Sequence, residues 1–198
     1  MSSKSKTAKK KRGKGASSWE IIAGLVIVVL AIWGVYSFTQ PSPQTTTTTG
    51  RTTTGSSAPD FTLPIVGSNG LTGQKVSLSS FRGKVVLLEF MEPWCTHCQN
   101  MAPVLDSLYQ QYGPQNVTFL SVAGPWNGAS ASDAAGFIHD YHPSWTFVYD
   151  SSGTTFDAFG VTATPTFFKI DKDGRIAVTY PGEVPASTIA ADLKRINT

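Results

Sequence analysis

Apolar residues fall into two unlike regions along this chain. Ile21 to Phe38 is an unbroken, uncharged run of 18 residues. As a helix rising about 1.5 Å per residue it would cover about 27 Å, close to the hydrocarbon thickness of a bilayer. Trp19, Trp33 and Tyr36 stand near its ends, where amphipathic rings favour the lipid interface. Beyond Ala58 strand-like and helix-like patterns alternate instead. Lys84 to Met91 is almost continuously apolar, as in a strand buried on both faces. A helix from Cys95 to Tyr112 follows, with Met101, Val104, Leu105 and Leu108 at helical spacing, and Gly113-Pro114 ends it. Val117 to Val122 and Trp145 to Tyr149 read as strands, separated by a helix to Tyr141 for which Ser132 and Asp133 are candidate caps. Thr166 to Ile170 and Arg175 to Tyr180 flank Asp171-Lys172-Asp173-Gly174, a hairpin signal with glycine where positive φ is needed. Ala186 to Ile196 closes the chain as a helix packing through Ile189, Leu193 and Ile196. Strands alternating with helices and ending in an antiparallel hairpin predict an α/β layered domain.

Charge divides the chain at the same place. Lys4, Lys6, Lys9, Lys10, Lys11, Arg12 and Lys14 precede the apolar run with no acid before Glu20, whereas Ala58 to Thr198 holds eight Lys and Arg against twelve Asp and Glu. The basic pI of about 8.9 is therefore a property of the tail, and it suits topology control and anionic lipid better than nucleic acid, since no folded domain accompanies the charges. By the positive-inside rule the expected layout is a basic cytoplasmic tail (1–19), a single-pass transmembrane anchor (20–38), a disordered Thr/Ser/Pro-rich stalk (39–57) and an extracytoplasmic domain (58–198). A cleaved signal peptide would end in small residues, which Val35-Tyr36-Ser37-Phe38 does not supply. Asn116-Val117-Thr118 is a lone glycosylation sequon on the outer side, and the stalk composition suits O-glycosylation.

The candidate chemistry lies in Trp94-Cys95-Thr96-His97-Cys98, which contains both cysteines of the chain. Two thiols this close at a helix start make a redox pair, because so short a loop stabilises little as a staple. Cys95, at the helix N-terminus, is expected to be the exposed, charge-stabilised nucleophile. Cys98, one turn in and more buried, would resolve the mixed disulfide. His97 beside them would favour the Cys95 thiolate as an imidazolium, or else be a solvated helix-start residue. Glu89 is the one charged residue from Val85 to Met91; buried, it would have a raised pKa and accept the Cys98 proton, while on an outward edge it would be ordinary. Trp94 would shield the sulfur and offer an apolar surface to a client, or simply pack, and Glu92 reads as surface potential. In Thr164-Pro165-Thr166 the proline suits a strand start, where the Thr164 backbone could pair with a substrate strand; composition alone favours a trans peptide.

Four blocks carry a resemblance over Ala58 to Thr198: Ala58-Pro59-Asp60-Phe61-Thr62-Leu63; Leu78-Ser79-Ser80-Phe81-Arg82-Gly83-Lys84-Val85-Val86-Leu87; the Trp94 to Cys98 motif; and Gly160 to Phe168 followed by Asp171 to Gly174. In order and spacing the chain resembles the membrane-anchored thioredoxin-like proteins of the TlpA and ResA type, within the wider peroxiredoxin-related superfamily. The resemblance implies a thioredoxin-like fold, a central mixed sheet with helices on both faces. It also implies Cys95 as nucleophile, Cys98 as resolving cysteine, Pro165 as a cis-proline facing them, and Glu89 as the buried acid of the strand before the motif. Clients would be proteins with cysteine pairs, recharged by a membrane-bound or soluble redox partner, with no cofactor and no resident metal. Thr96-His97 departs from the usual dipeptide of reductive members and is similar to that of the oxidising DsbA type, which leaves the direction of electron flow open. Two other readings are a thiol peroxidase, which would want Thr or Ser where Glu92 stands, and a copper or zinc carrier using Cys95, His97 and Cys98. A membrane-tethered binding domain with a vestigial disulfide would leave the low-pKa surroundings of the thiols without a use.

Overall fold

The computed structural model describes residues 55–195. The expected tail and transmembrane helix, most of the stalk, and Ile196 lie outside the described residues; among the described residues no helix is long and apolar enough to cross a membrane. Seven strands form one mixed sheet: β1 (Thr62–Gly67), β2 (Gly70–Ser77), β3 (Val85–Met91), β4 (Val117–Ala123), β5 (Thr146–Tyr149), β6 (Thr166–Ile170) and β7 (Ile176–Pro181), in the order β2-β1-β5-β4-β3-β6-β7. β3 pairs parallel to β4 and antiparallel to β6, so it lies at the centre. All seven of its residues are buried, as the run of apolar side chains dictates for a strand covered on both faces.

Alternation along β3 assigns the two layers. Val86, Leu88 and Phe90 join Leu120, Val122, Phe168 and the rings of Phe156 and Phe159 from α3 (Thr154–Phe159). Val85 and Leu87 face the opposite layer, where Met101, Leu105 and Leu108 of α1 (Thr96–Tyr112) meet Ile189 and Leu193 of α4 (Ala186–Lys194). Met91 continues this second face against Ala134 and Phe137 of α2 (Ala131–Tyr141). Each large apolar side chain so buried stabilises the fold by roughly 1.5–3 kcal/mol.

Local chemistry fixes the boundaries. The hairpin between β6 and β7 turns at Gly174, φ +71°, and Asp171 Oδ1 accepts from the N–H of Asp173 and of Arg175, an Asx arrangement that closes the turn. Ser130, rather than the expected Ser132, caps α2: its Oγ accepts from Asp133 N–H while the Asp133 carboxylate accepts from Ser130 N–H. That reciprocal box satisfies two helix-end donors at once, which Ser132 inside the helix cannot do. Gly55 to Ala58 run beside the β6–β7 turn, through Gly55 N–H to Ile176 O (2.7 Å), Ile176 N–H to Ser56 O (2.8 Å) and Ala58 N–H to Gly174 O (2.9 Å). Gly55, Ser56 and Ser57, which composition places in the stalk, are thus tied to the sheet.

Candidate active site

β3 delivers the chain to the C-terminal edge of the sheet, where Glu92 O accepts Cys95 N–H at 3.1 Å and folds the backbone into a turn. α1 then begins at Thr96 with Cys95 as its cap, φ −75° and ψ 112°. The capping atom is the sulfur: Cys95 Sγ accepts Cys98 N–H at 3.3 Å. The sulfur thus takes the place of a capping oxygen, at the helix end where free backbone N–H donors gather. Cys95 S–H is directed at the Thr164 carbonyl, 3.4 Å away. Both cysteines are unpaired. Cys95 is 5% exposed and Cys98 1%, so the expected ordering holds, but Cys95 is not the open sulfur the sequence suggests. It is reached through a groove walled by Trp94, Thr96, His97, Trp126, Ala163 and Thr164.

Behind the cysteines lies a buried polar chain. Glu89 is 4% exposed and on the α1 side of the sheet, which excludes the outward-edge reading. Ser121 Oγ donates to Glu89 Oε2 at 2.5 Å and accepts Trp145 Nε1–H at 2.8 Å. Burial pushes the Glu89 pKa up to about 7, with the Ser121 hydrogen bond opposing it. Burial likewise drives the Cys98 thiol far up, and the Glu89 charge adds to that. Ionised Glu89 thus opposes ionisation of Cys98, while its own raised pKa leaves it able to take up a proton near neutral pH.

The loop across the groove contains the cis peptide Thr164-Pro165, with Pro165 buried and Thr164 half-buried. Trp94 is 50% exposed and lies on the groove wall. His97 is largely exposed, as its solvated helix-start reading has it; its Nδ1 meets Glu183 Oε1 at 2.7 Å, and Asn100 Nδ2 donates to the same oxygen at 2.9 Å. Those two partners hold the Glu183 carboxylate below its usual pKa, Asn100 contributing most. Glu183 follows Gly182, whose N–H donates to Pro165 O at 2.8 Å; the start of α1 and the cis-proline loop are thus linked through one acidic residue.

Glu92 corrects the sequence reading outright. It is 0% exposed, with Oε1 accepting Trp126 N–H at 3.0 Å. Burial raises its pKa to about 7 against that hydrogen bond. A signal for this was present: Glu92 continues the alternation Val86, Leu88, Phe90, and so turns toward the Phe156 layer rather than to solvent. Ser121, Trp126, Trp145 and Glu183 gave no such signal, because each reaches the site from a strand or loop far away in sequence.

The Redoxin family profile matches residues 53–194, the whole span that builds the sheet and this site. This chain belongs to the Redoxin family. Within it the protein is a thiol-disulfide oxidoreductase of the thioredoxin-like TlpA and ResA type. It is similar to the thiol-disulfide oxidoreductase ResA of Bacillus thuringiensis subsp. konkukian, 30% identical over 173 residues, 86% of this chain and 94% of that one. ResA of Geobacillus thermodenitrificans is 32% identical over 142 residues, 72% and 77% of the two chains. Among solved structures, a protein described as thiol:disulfide interchange protein DsbE from Chlorobium tepidum superposes with TM-score 0.65 at 28% identity, over 73% of this chain and 98% of that one. The exposed lipoprotein thioredoxin Etrx1 of Streptococcus pneumoniae gives TM-score 0.59 at 29% identity, over 69% and 99%. In this redoxin His97 engages Glu183, and among the described residues no three His, Cys, Asp or Glu side chains converge as a metal site.

Proposed function

We propose that this redoxin is an extracytoplasmic, membrane-anchored reductant of client-protein disulfides, acting through Cys95 and resolved by Cys98. The reading is carried by Cys95 Sγ at the cap of α1, accepting Cys98 N–H at 3.3 Å and facing the Thr164 carbonyl at 3.4 Å. The Cys95 thiolate attacks one client sulfur; a mixed disulfide forms and the other client sulfur leaves as a thiolate. Cys98 passes its proton to Glu89 and attacks Cys95 Sγ; the second client sulfur leaves, the client gains two electrons and the Cys95–Cys98 disulfide forms. An external dithiol protein then returns the enzyme to its reduced state. The cis-Pro165 loop lies across from the sulfur, where the Thr164 backbone is placed to align the client, and Trp94 supplies an apolar contact.

The reducing direction is supported by His97. An imidazolium free to face Cys95 would stabilise the thiolate and make the disulfide a strong oxidant. Here its Nδ1 meets a carboxylate at 2.7 Å, which offsets that charge. Location is supported by the seven cations ahead of an uncharged 18-residue run. A match covering 86% of the chain must also include part of the N-terminal segment, since 144 residues follow Thr54.

Cys98→Ser in the full chain is expected to accumulate clients disulfide-linked to Cys95 and released by dithiothreitol. Capture that persists in the Cys95→Ser, Cys98→Ser double variant would defeat the assignment. Protease added outside intact cells should digest the domain while sparing the first 19 residues. Equilibration with glutathione should place the couple at or below the reducing side of the glutathione pool; an equilibrium lying tenfold or more to the oxidising side would reverse the direction.

A further inference from the structure

The groove over Cys95 has two tryptophans on its wall, and both are tied to one interior carboxylate. Glu92 Oε1 accepts the Trp126 N–H at 3.0 Å, and the Trp126 carbonyl accepts Trp94 Nε1–H at 3.2 Å. The backbone of Glu92 is part of the same assembly, since its carbonyl accepts Cys95 N–H at 3.1 Å. Trp126 lies on the groove and rests on Phe156 below, ring centroids 5.0 Å apart. Trp94, half exposed, is the outer ring. One side chain therefore fixes the inner ring's backbone, and through that backbone the outer ring.

Two further observations mark the carboxylate as built in. Gly124 is where space has been left for it: a Cβ there would collide with Glu92 Oε1 and with the Phe156 ring. Glu92 Oε2, fully buried, has no hydrogen-bond partner. A buried acid with half its acceptors idle destabilises the fold relative to an apolar residue of the same size. Core packing therefore does not account for a carboxylate at position 92, whereas the need for an acceptor beneath Trp126 does.

We propose that Glu92 is a positioning residue that sets client affinity: its carboxylate oxygen locks the Trp126 segment, and through the Trp126 carbonyl the Trp94 indole, into the wall that grips the polypeptide beside the scissile disulfide. The proposal rests on the reading of the groove as the client cradle. It acts on recognition, so it spares the exchange chemistry at Cys95.

The test uses the full chain, a peptide substrate with one intramolecular disulfide and an aromatic residue beside it, and oxidised dithiothreitol as a substrate too small to need the walls. Glu92→Met fills the interior without an acceptor; Glu92→Gln keeps an oxygen for Trp126 N–H without the charge. Glu92→Met is expected to raise KM for the peptide at least fivefold with kcat within twofold and the oxidised dithiothreitol rate within twofold. Glu92→Gln is expected to restore KM to within twofold of wild type. Trp94→Phe cuts the outer link at the surface and cannot unfold the interior; it should raise the peptide KM about threefold. Combined with Glu92→Met, it should add little, because both break one chain of contacts. An unchanged KM in Glu92→Met, an equal loss with peptide and oxidised dithiothreitol, or full additivity of the pair would overturn the proposal. Should wild type show no saturation by the peptide while still reacting with oxidised dithiothreitol, the cradle reading itself fails.

Discussion

At Glu89 a carboxylate 4% exposed is held against Ser121 with its pKa raised to about 7, and Glu92 shares that value on the other face of the sheet. An unfolded glutamate titrates near 4.5. A folded-state pKa above the unfolded one means that the native protein binds more protons in between. The stability that each protonated carboxyl contributes is then complete below about pH 4.5 and is lost as pH rises through about 7. Each residue contributes up to about 3 kcal/mol across that window. Chemical denaturation of the reduced protein should therefore show a higher midpoint at pH 5 than at pH 8, and Glu89→Gln should remove about half the difference. The same substitution should slow release of the mixed disulfide about tenfold or more near pH 7, read by single-turnover quench, if Cys98 hands its proton to Glu89. Glu89 was legible as an anomaly in an apolar run. Its face was not, because alternation fixes which residues share a side but leaves open which side meets α1.

Among the elements, the long and strongly patterned ones were readable and the short ones were not. β3, α1, β4 and the β6–β7 hairpin follow from apolar runs and from Gly174. The β1–β2 hairpin carries Asn69-Gly70, with Gly70 at φ +104°, a turn signal flanked by strands too mixed in polarity to stand out; none of the eight residues of β2 is buried and five are exposed. α3 has only six residues, too few for a helical period, and is bounded by Gly153 and Gly160 at positive φ. The cap of α2 was misplaced by two residues because Ser130, Ser132 and Asp133 all suit a helix start, and only geometry distinguishes the reciprocal pair. Ser130→Ala should cost about 1 kcal/mol in denaturant titration, and Ser132→Ala a few tenths or less.

Across the whole molecule, the active site is built at one end of the sheet and the N-terminal approach is stitched to the other. Phe90 pairs with Thr166 near the cysteines, and Val86 with Ile170 near the β6–β7 turn; Ser57 bridges to Arg175 at that far turn, where Arg175 Nη1 also donates to Gly55 O at 2.9 Å. A shortened domain beginning at Ala58 loses these contacts. It should be less stable than one beginning at Thr52 by about 1–3 kcal/mol, at about 1 kcal/mol per hydrogen bond, as a thermal scan of the two would show.

The run of β3 between the two ends is about 20 Å at roughly 3.3 Å per residue. Gly55 and the cysteines therefore lie at opposite ends of that strand, so a partner docked on the tryptophans leaves the hydrogen bonds of Gly55 and Ser56 untouched. A load applied at Gly55 falls first on the β6–β7 turn and reaches the sulfurs only through the length of β3.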